Sequence, residues 1–442
     1  MRILKIIHIF LFTGALLSGL VLFLVQKKEI ISTQEKRKLA TLKEINIEGI
    51  LNGSLMHHYQ KYIDDHFPFR EKFIDLAFEL TESKGVKGNN QIRLVQKKKD
   101  KKIDENKIDL NKAARDVNYL VNAESSSSHG LLIINGCAYQ VFGGSKKSVK
   151  SYMDVVNEYR KSLPKDVRVF NCIVPTGSSF TKIKEYDYLR EKEFQNINDA
   201  YSLSEDGVIN VHAKEALVNH QDEYIYFASD HHWTGLGAYY AYTAFCNAAG
   251  TNAMPLNKMI KKTKPNFLGT LYNLTKDKSI KTDSVEYFIP PISTERKVFI
   301  ESAQGRNSYG VFLGGDMPYL KINTSNKNGK SIVIIKNSFG NPFSTFLISN
   351  YQTVHVVDYR YFNKGLLNLI KNESIDDVLF FHNVFSANTL SHSHRQRIIK
   401  NPISDNYHTP ESKNKTNNIQ EKKKQPTDNR SSPQNSIKDS IH

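Results

Sequence analysis

The chain has 442 residues, a formal net charge of +16, 39% hydrophobic and 11% aromatic residues and only three cysteines, a composition that suits a folded body with one large core and excludes a wholly disordered chain. Much of the positive charge sits in Lys97 to Lys102 and in the tail from Ser412, and neither run interleaves aromatic with basic residues as single-strand nucleic-acid binders do, so no nucleic-acid partner is expected. Cys137, Cys172 and Cys246 are odd in number and lie far apart in apolar segments, which excludes a disulfide framework or zinc pattern and reads as burial.

From the N-terminus, Met1 to Lys5 precede an apolar run, Ile6 to Val25, interrupted only by His8, Thr13, Gly14, Ser18 and Gly19. About 20 such residues span a bilayer. The run ends at Gln26-Lys27-Lys28 without a small-x-small exit, so residues 1–28 are expected to be an uncleaved membrane anchor holding an extracytoplasmic body; a buried core helix is the competing reading. Residues 29–128 read as a polar stalk and helical lead-in carrying the Lys-rich insert. Within Asp65-His66-Phe67-Pro68-Phe69-Arg70, Pro68 should interrupt a helix, Phe67 and Phe69 should pack the turn down, and His66 and Arg70 should hold it by hydrogen bonds.

From residue 129 strands alternate with helices. Leu131 to Ile134 and Tyr139 to Phe142 bracket Asn135-Gly136 and predict a hairpin. Ser148 to Leu163 predicts an amphipathic helix, and Val167 to Val174 a strand stopped by Pro175. Further strands are expected at Glu223 to Ala228, Ser331 to Ile335, Thr353 to Val357 and Val378 to Phe381, with a helix over Thr234 to Ala249. The alternation argues for an α/β domain over residues 129–400 whose parallel sheet is covered by helices on both faces. Residues 281–330 are more β-rich, with a tight turn at Gly314-Gly315-Asp316, and are expected to form an inserted hairpin. Residues 401–442 are rich in Lys, Asn, Gln, Ser and Pro and read as disordered.

Chemistry concentrates in two places. Ser229-Asp230-His231-His232-Trp233-Thr234 brings a carboxylate, two imidazoles and the only tryptophan to one strand-to-helix junction, the kind of position from which side chains face the ligand cleft of open α/β sheets. Asp230 and His232, two residues apart, point the same way if the segment is extended, and His231 then points to the opposite side. The second place is Ser331 to Pro342, where an apolar strand runs into a turn containing Ser338. A serine there lies near the positive end of a helix and near free N–H groups that can hold an oxyanion, although serine is also an ordinary helix N-cap. An Asp that orients a His, together with a Ser from another strand end, makes a nucleophile-base-orienter set. Metal binding is the competing use of Asp230, His231 and His232, but no second cluster at ligand spacing follows, so no metal is expected.

SDHHWTGLGAYYAY at 229–242 resembles the signature of the DHHW family, which is related to alginate O-acetylation proteins and more remotely to SGNH hydrolases. DHFPFREKFI at 65–74, KNSFGNPF at 336–343 and VVDYRYF at 356–362 agree with it. The resemblance implies an SGNH-like three-layer α/β/α domain with Ser338 as nucleophile, His232 as base and Asp230 as its partner. Backbone N–H groups from Ser338 to Gly340 and the Asn383 amide are then oxyanion candidates. Arg360 becomes a substrate contact or a structural ion pair, and Trp233 a residue supporting the site or lining the substrate.

The reading is an anchored, extracytoplasmic O-acetyltransferase acting on a cell-surface polysaccharide through an acetyl-serine, with no cofactor. By resemblance, a membrane-bound O-acyltransferase is the partner that supplies acetyl groups. A polysaccharide acetylesterase and a non-catalytic polymer-binding scaffold of an export complex are the alternatives.

Overall fold

Eleven strands of three residues or more carry the architecture of the computed structural model, which describes residues 2–26, 28, 31–32, 37–70, 72–73, 76, 92–95, 109–127 and 130–401. They are β1 (Ile92–Val95), β2 (Leu131–Ile134), β3 (Cys137–Gln140), β4 (Arg168–Val174), β5 (Val208–Asn210), β6 (Ile260–Phe267), β7 (Asp283–Ile289), β8 (Tyr319–Asn323), β9 (Ser331–Lys336), β10 (Thr353–Asp358) and β11 (Asp377–Asn383). The helices used below are α1 (Arg2–Val25), α2 (Lys146–Ser162), α3 (Asp187–Ser202), α4 (Gly235–Ala249), α5 (Gly340–Leu347), α6 (Leu366–Asn372) and α7 (Leu390–Ile398). Residues Met1–Ile403 form one unit; the tail and the Lys97 to Lys102 run lie outside the described residues.

The central sheet has the order β8-β10-β9-β11-β4-β5. Its β9, β11 and β10 are near-continuous apolar runs, the pattern of strands covered on both faces. Ile332 and Ile334 point into a core shared with Ala238, Ala241, Tyr242 and Phe245 of α4 and Phe343 and Phe346 of α5. Val333 and Ile335 point the other way, toward Val149, Tyr152, Met153 and Val156 of α2 and Leu366 and Ile370 of α6. Alternation along one strand thus feeds two cores and produces three layers. Each such side chain contributes roughly 1.5–3 kcal/mol on full burial.

Several expectations need correction. The sheet is mixed, because β8 pairs antiparallel with β10 (Tyr319 opposite Val357, Asn323 opposite Thr353); an antiparallel edge strand needs no crossover helix, so the βα alternation carried no trace of it. Glu223 to Ala228 forms no strand. Only Tyr226 makes a bridge, to Trp233, since the segment folds back on its own loop through Thr234 N–H to Ile225 O (2.9 Å) and Phe227 N–H to His232 O (3.3 Å). Residues 281–330 are not one inserted hairpin: β7 pairs backward with β6, and β8 joins the main sheet. Cys172 and Cys246 are buried, but Cys137 is only half-buried.

The Asn135-Gly136 turn joins β2 to β3 as expected, with φ of 50° and 79°, the positive angles that a two-residue type I′ turn requires. Helix α2 starts on the Ser145 side chain, which accepts from Ser148 N–H. Thr234 does the same for α4, whose end is closed by Gly250 at φ 68°, a left-handed cap that glycine adopts without strain.

Toward the N-terminus, α1 is followed by helices at Ile47–Leu51 and Ser54–Asp65, the latter ending before Pro68. Phe67 and Phe69 do not pack the turn down: they are 52% and 56% exposed. His66 is buried with its Nδ1 2.9 Å from Tyr62 O. Among the described residues no helix is long and apolar enough to cross a membrane, so the structure lends the expected anchor no support, although most of the large apolar side chains described on α1, Ile9 to Leu11 among them, are exposed.

Candidate active site

Strand β9 ends at Lys336, and the turn Asn337-Ser338-Phe339 enters α5 at the carboxyl edge of the sheet, where open α/β folds form ligand clefts. The turn is held from inside. Asn337 Oδ1 accepts from Phe339 N–H (3.2 Å), Asn337 Nδ2 donates to Ser386 Oγ (2.7 Å), and Gly340 N–H donates to Asn337 O (3.0 Å). The N-cap of α5 is Phe339, so the hydroxyl of Ser338 is not spent on capping. Gly340 lets the turn close, since a Cβ there would stand 2.5 Å from Lys336 Cβ.

The loop before α4 supplies the other two groups. His232 Nδ1 lies 2.5 Å from Asp230 Oδ1, and His232 Nε2 lies 2.7 Å from Ser338 Oγ. Asp230 Oδ1 also accepts from His232 N–H (3.0 Å), while Oδ2 accepts from Thr270 N–H (2.7 Å) and Thr270 Oγ1 (3.1 Å). With four donors around it and no exposed side-chain surface, the carboxylate fixes the Nδ1–H tautomer of His232, leaving Nε2 to accept from the Ser338 hydroxyl. Gly269 lets the Thr270 segment come this close: a Cβ there would stand 2.2 Å from Asp230 Cβ.

Tyr309 completes the surroundings of the base. Its ring stacks on that of His232 with centroids 4.2 Å apart and planes 17° apart, and its hydroxyl donates to Ser338 O (3.1 Å). Burial, and next the Asp230 charge, push the Tyr309 phenol well above its ordinary pKa, which keeps it a donor. Beneath the serine lies an ion cluster in which Lys336, Asp358 and Arg360 are buried and Asp316 forms the exposed rim. Lys336 Nζ is 3.0 Å from Asp358 Oδ2, and Arg360 bonds Asp358 through Nε (2.9 Å) and Nη2 (2.7 Å) and reaches Asp316 Oδ2 (2.9 Å). Asp316 also accepts from Asn341 Nδ2 (3.0 Å). Desolvation alone would raise the Asp316 carboxyl, but Arg360 and Lys336 outweigh it and hold it well below the usual carboxylate range.

The structure therefore brings Asp230, His232 and Ser338 together and gives the other predicted residues different tasks. Trp233 has no exposed surface and donates from Nε1 to Phe339 O (3.0 Å); it ties α4 to α5 and does not line a substrate surface. Arg360 is buried in the ion cluster. The Gly340 N–H is consumed by Asn337 O. Asn383 Oδ1 accepts from Ser386 N–H (2.8 Å) and caps the short helix Val384–Ala387. His231 is not on the opposite side: the loop is bent, so its ring lies over that of His232, centroids 3.8 Å apart, with Nδ1 2.5 Å from Thr270 Oγ1.

Asp230, His231 and His232 lie close enough together to offer a metal ion three ligand atoms. The side chains of Asp230, His231 and His232 already bond Thr270, Ser338 and one another, so a cation there would compete with the bonds that make up the Ser-His-Asp set. Sequence reasoning missed Thr270, Tyr309 and Asp283. Asp283 left one signal: it occupies the inward register of Val285 and Tyr287 in β7, a carboxylate where alternation calls for an apolar residue.

The site thus sits in an α/β fold, a mixed sheet between two helical layers with Ser338, His232 and Asp230 gathered at its carboxyl edge. The chain belongs to the DHHW protein family, whose sequence model matches residues 116–357, more than half of its length. A DHHW family protein from Eubacterium siraeum DSM 15702, 30% identical, aligns over 62% of this chain and 96% of its own with a TM-score of 0.57. PatB1 of Bacillus cereus, in a structure carrying a sulfonyl adduct, is 16% identical, with coverages of 60% and 96% and a TM-score of 0.50. The O-acetyltransferase domain of Pseudomonas putida AlgJ is 13% identical, with coverages of 60% and 96% and a TM-score of 0.36. No curated protein matches the chain.

Proposed function

We propose that this protein is an O-acetyltransferase that acetylates a cell-surface polysaccharide through an acetyl-Ser338 intermediate. The observation that carries the reading is His232, bound through Nδ1 to a buried carboxylate and through Nε2 to the Ser338 hydroxyl at 2.7 Å. His232 takes the Ser338 proton as Oγ attacks an acetyl ester carbonyl; the tetrahedral intermediate collapses, and His232 returns the proton to the departing oxygen. A sugar hydroxyl then gives its proton to His232 and attacks the acetyl-serine, and Ser338 leaves protonated. Asp230 stabilises the imidazolium in both halves. The Ser338 N–H, which has no protein acceptor among the described residues, lies beside the N-terminus of α5 and suits the oxyanion.

The choice of acetyl and of a glycan acceptor rests on the family resemblance. On the same reading the apolar N-terminal segment keeps the body at the outer face of a bacterial cell membrane, and a membrane-bound O-acyltransferase is the acetyl source. The test incubates the full chain with an acetyl ester donor and an envelope polysaccharide, and looks for acetyl on Ser338 by mass spectrometry and for acetylated sugar by NMR. Ser338→Ala should remove both. Undiminished sugar acetylation in that variant sinks the reading.

A further inference from the structure

Asp283 lies outside the Ser, His and Asp set, on a hairpin inserted after α4, yet it is 3% exposed and saturated with hydrogen bonds from the loop that carries the base. Its Oδ1 accepts from Ala228 N–H (2.9 Å) and from the Tyr224 hydroxyl; its Oδ2 accepts from Ser229 N–H (2.8 Å) and Ser229 Oγ (2.5 Å). Ser229 Oγ in turn accepts from Gly269 N–H (2.9 Å), and the next residue, Thr270, donates N–H and Oγ1 to Asp230 Oδ2. Two carboxylates therefore stitch two segments together. Asp283, from the hairpin, grips the loop, and Asp230, from the loop, is gripped by the segment that follows β6.

We infer that Asp283 is a positioning residue for the base, fixing the loop so that Asp230 meets Thr270 and His232 reaches Ser338; the inference rests on the proposed triad. Asp283 touches none of the reacting atoms and acts through Ser229 and the backbone. The physical reason is the bent loop. Residues Ala228 to His232 belong to no strand or helix, so no ladder holds them. Isolated backbone bonds, Ala138 N–H to Ala228 O (2.8 Å), Tyr272 N–H to Ser229 O (2.9 Å) and Phe227 N–H to His232 O (3.3 Å), pin the loop at single points, and the acceptors Asp283 and Asp230 gather the remaining donors that fix how His232 meets Ser338. A buried acceptor that gathers several donors holds such a loop rigidly. Burial raises the Asp283 carboxyl to about 6, against the lowering effect of the Ala228 and Ser229 N–H groups, as expected for a carboxylate retained inside protein for its geometry.

The test uses the full-length protein with Asp283→Asn, which keeps shape but turns an amide toward backbone donors, Asp283→Glu, which keeps the anion, and Ser229→Ala, which removes one link should the first variant fail to fold. Three readouts apply: kcat and KM on an acetyl ester, the rate of sulfonylation of Ser338 by a sulfonyl fluoride, and the downfield proton NMR signal of His232 Nδ1–H. Expected for Asp283→Asn is a kcat fall of roughly 10- to 100-fold with KM within about twofold. Sulfonylation should slow in parallel, the Nδ1–H signal should shift or vanish, and Asp283→Glu should restore part of kcat. A folded Asp283→Asn protein with wild-type kcat and an unmoved Nδ1–H signal overturns the proposal, and so does a loss that appears only in KM. If the wild-type protein is never labelled at Ser338, the proposed reaction fails while the NMR signal still decides whether Asp283 sets the Asp230–His232 pair.

Discussion

His232 and Ser338, 106 residues apart in the chain, stand 2.7 Å apart from Nε2 to Oγ. A proton can pass between them without any movement of the backbone, and Asp230 already holds the far side of the imidazole. Ser338→Ala and His232→Ala should each lower kcat for acetyl transfer by roughly 10³-fold or more. Asp230→Asn, which favours the wrong tautomer, should lower it by a similar order. Steady-state kinetics of the three variants, with circular dichroism to verify folding, decides this; a variant within tenfold of wild type removes its residue from the set.

Toward the Ser-His-Asp set Tyr309 offers two separable contacts, the ring stack on His232 and the hydroxyl bond to Ser338 O. Tyr309→Phe loses only the hydrogen bond, a change of about 1 kcal/mol, and should cost roughly fivefold in kcat. Tyr309→Ala also opens a void against the base and should cost roughly 10- to 100-fold. Equal effects of the two substitutions would mean that the ring does not position the imidazole.

Arg360 lies in a cluster with two carboxylates and Lys336. Removing Arg360 leaves two carboxylates, one of them the buried Asp358, with Lys336 as their one cation in the cluster, so Arg360→Met should lower the unfolding free energy by roughly 3 kcal/mol. KM should stay near wild type wherever the variant is folded. Urea titration and steady-state kinetics separate this from a substrate contact, for which KM would rise at unchanged stability.

His355, on β10, is buried, and burial lowers its pKa to about 4 from an ordinary 6.5. Its Nδ1 pairs with the Tyr319 hydroxyl at 2.8 Å. Because the folded-state value is depressed, the unfolded chain binds the proton first. Its contribution to stability is complete above pH 6.5, declines as pH falls below that value and is exhausted near pH 4, a loss on the order of 3 kcal/mol. The difference in urea-unfolding free energy between wild type and His355→Phe, measured at pH 7 and at pH 4.5, should shrink or change sign at the lower pH. A difference independent of pH would show that His355 is not held neutral.

Much of the domain was readable residue by residue. The Asn135-Gly136 hairpin, the start of α4 at Thr234, and the strands β4, β9, β10 and β11 follow from local rules of turn angle, capping and apolar runs. The antiparallel partner of β10 was not readable, because a five-residue edge strand reveals nothing in itself about its direction. Glu223 to Ala228 looked like a strand because Ile225 to Ala228 form a buried apolar run; its backbone instead pairs within its own loop, and composition does not distinguish the two.

Within the site the same division holds. Sequence alone singled out Asp230, His232 and Ser338, because an Asp-x-His pair before a helix and a Ser after an apolar strand are local patterns whose chemistry is set by residue type. It also bounded the composition, the charge distribution and the cysteine usage. Tertiary structure decided which groups surround those three. Thr270 approaches Asp230 because Gly269 leaves room, Tyr309 covers His232 from an irregular segment, and Asp283 reaches the loop from a hairpin strand. Trp233, Arg360, Gly340 and Asn383 were committed to internal bonds for the same reason. Hydrogen bonds and stacking act between surfaces that folding alone brings together, and a partner that is remote in sequence leaves no periodic trace at either end.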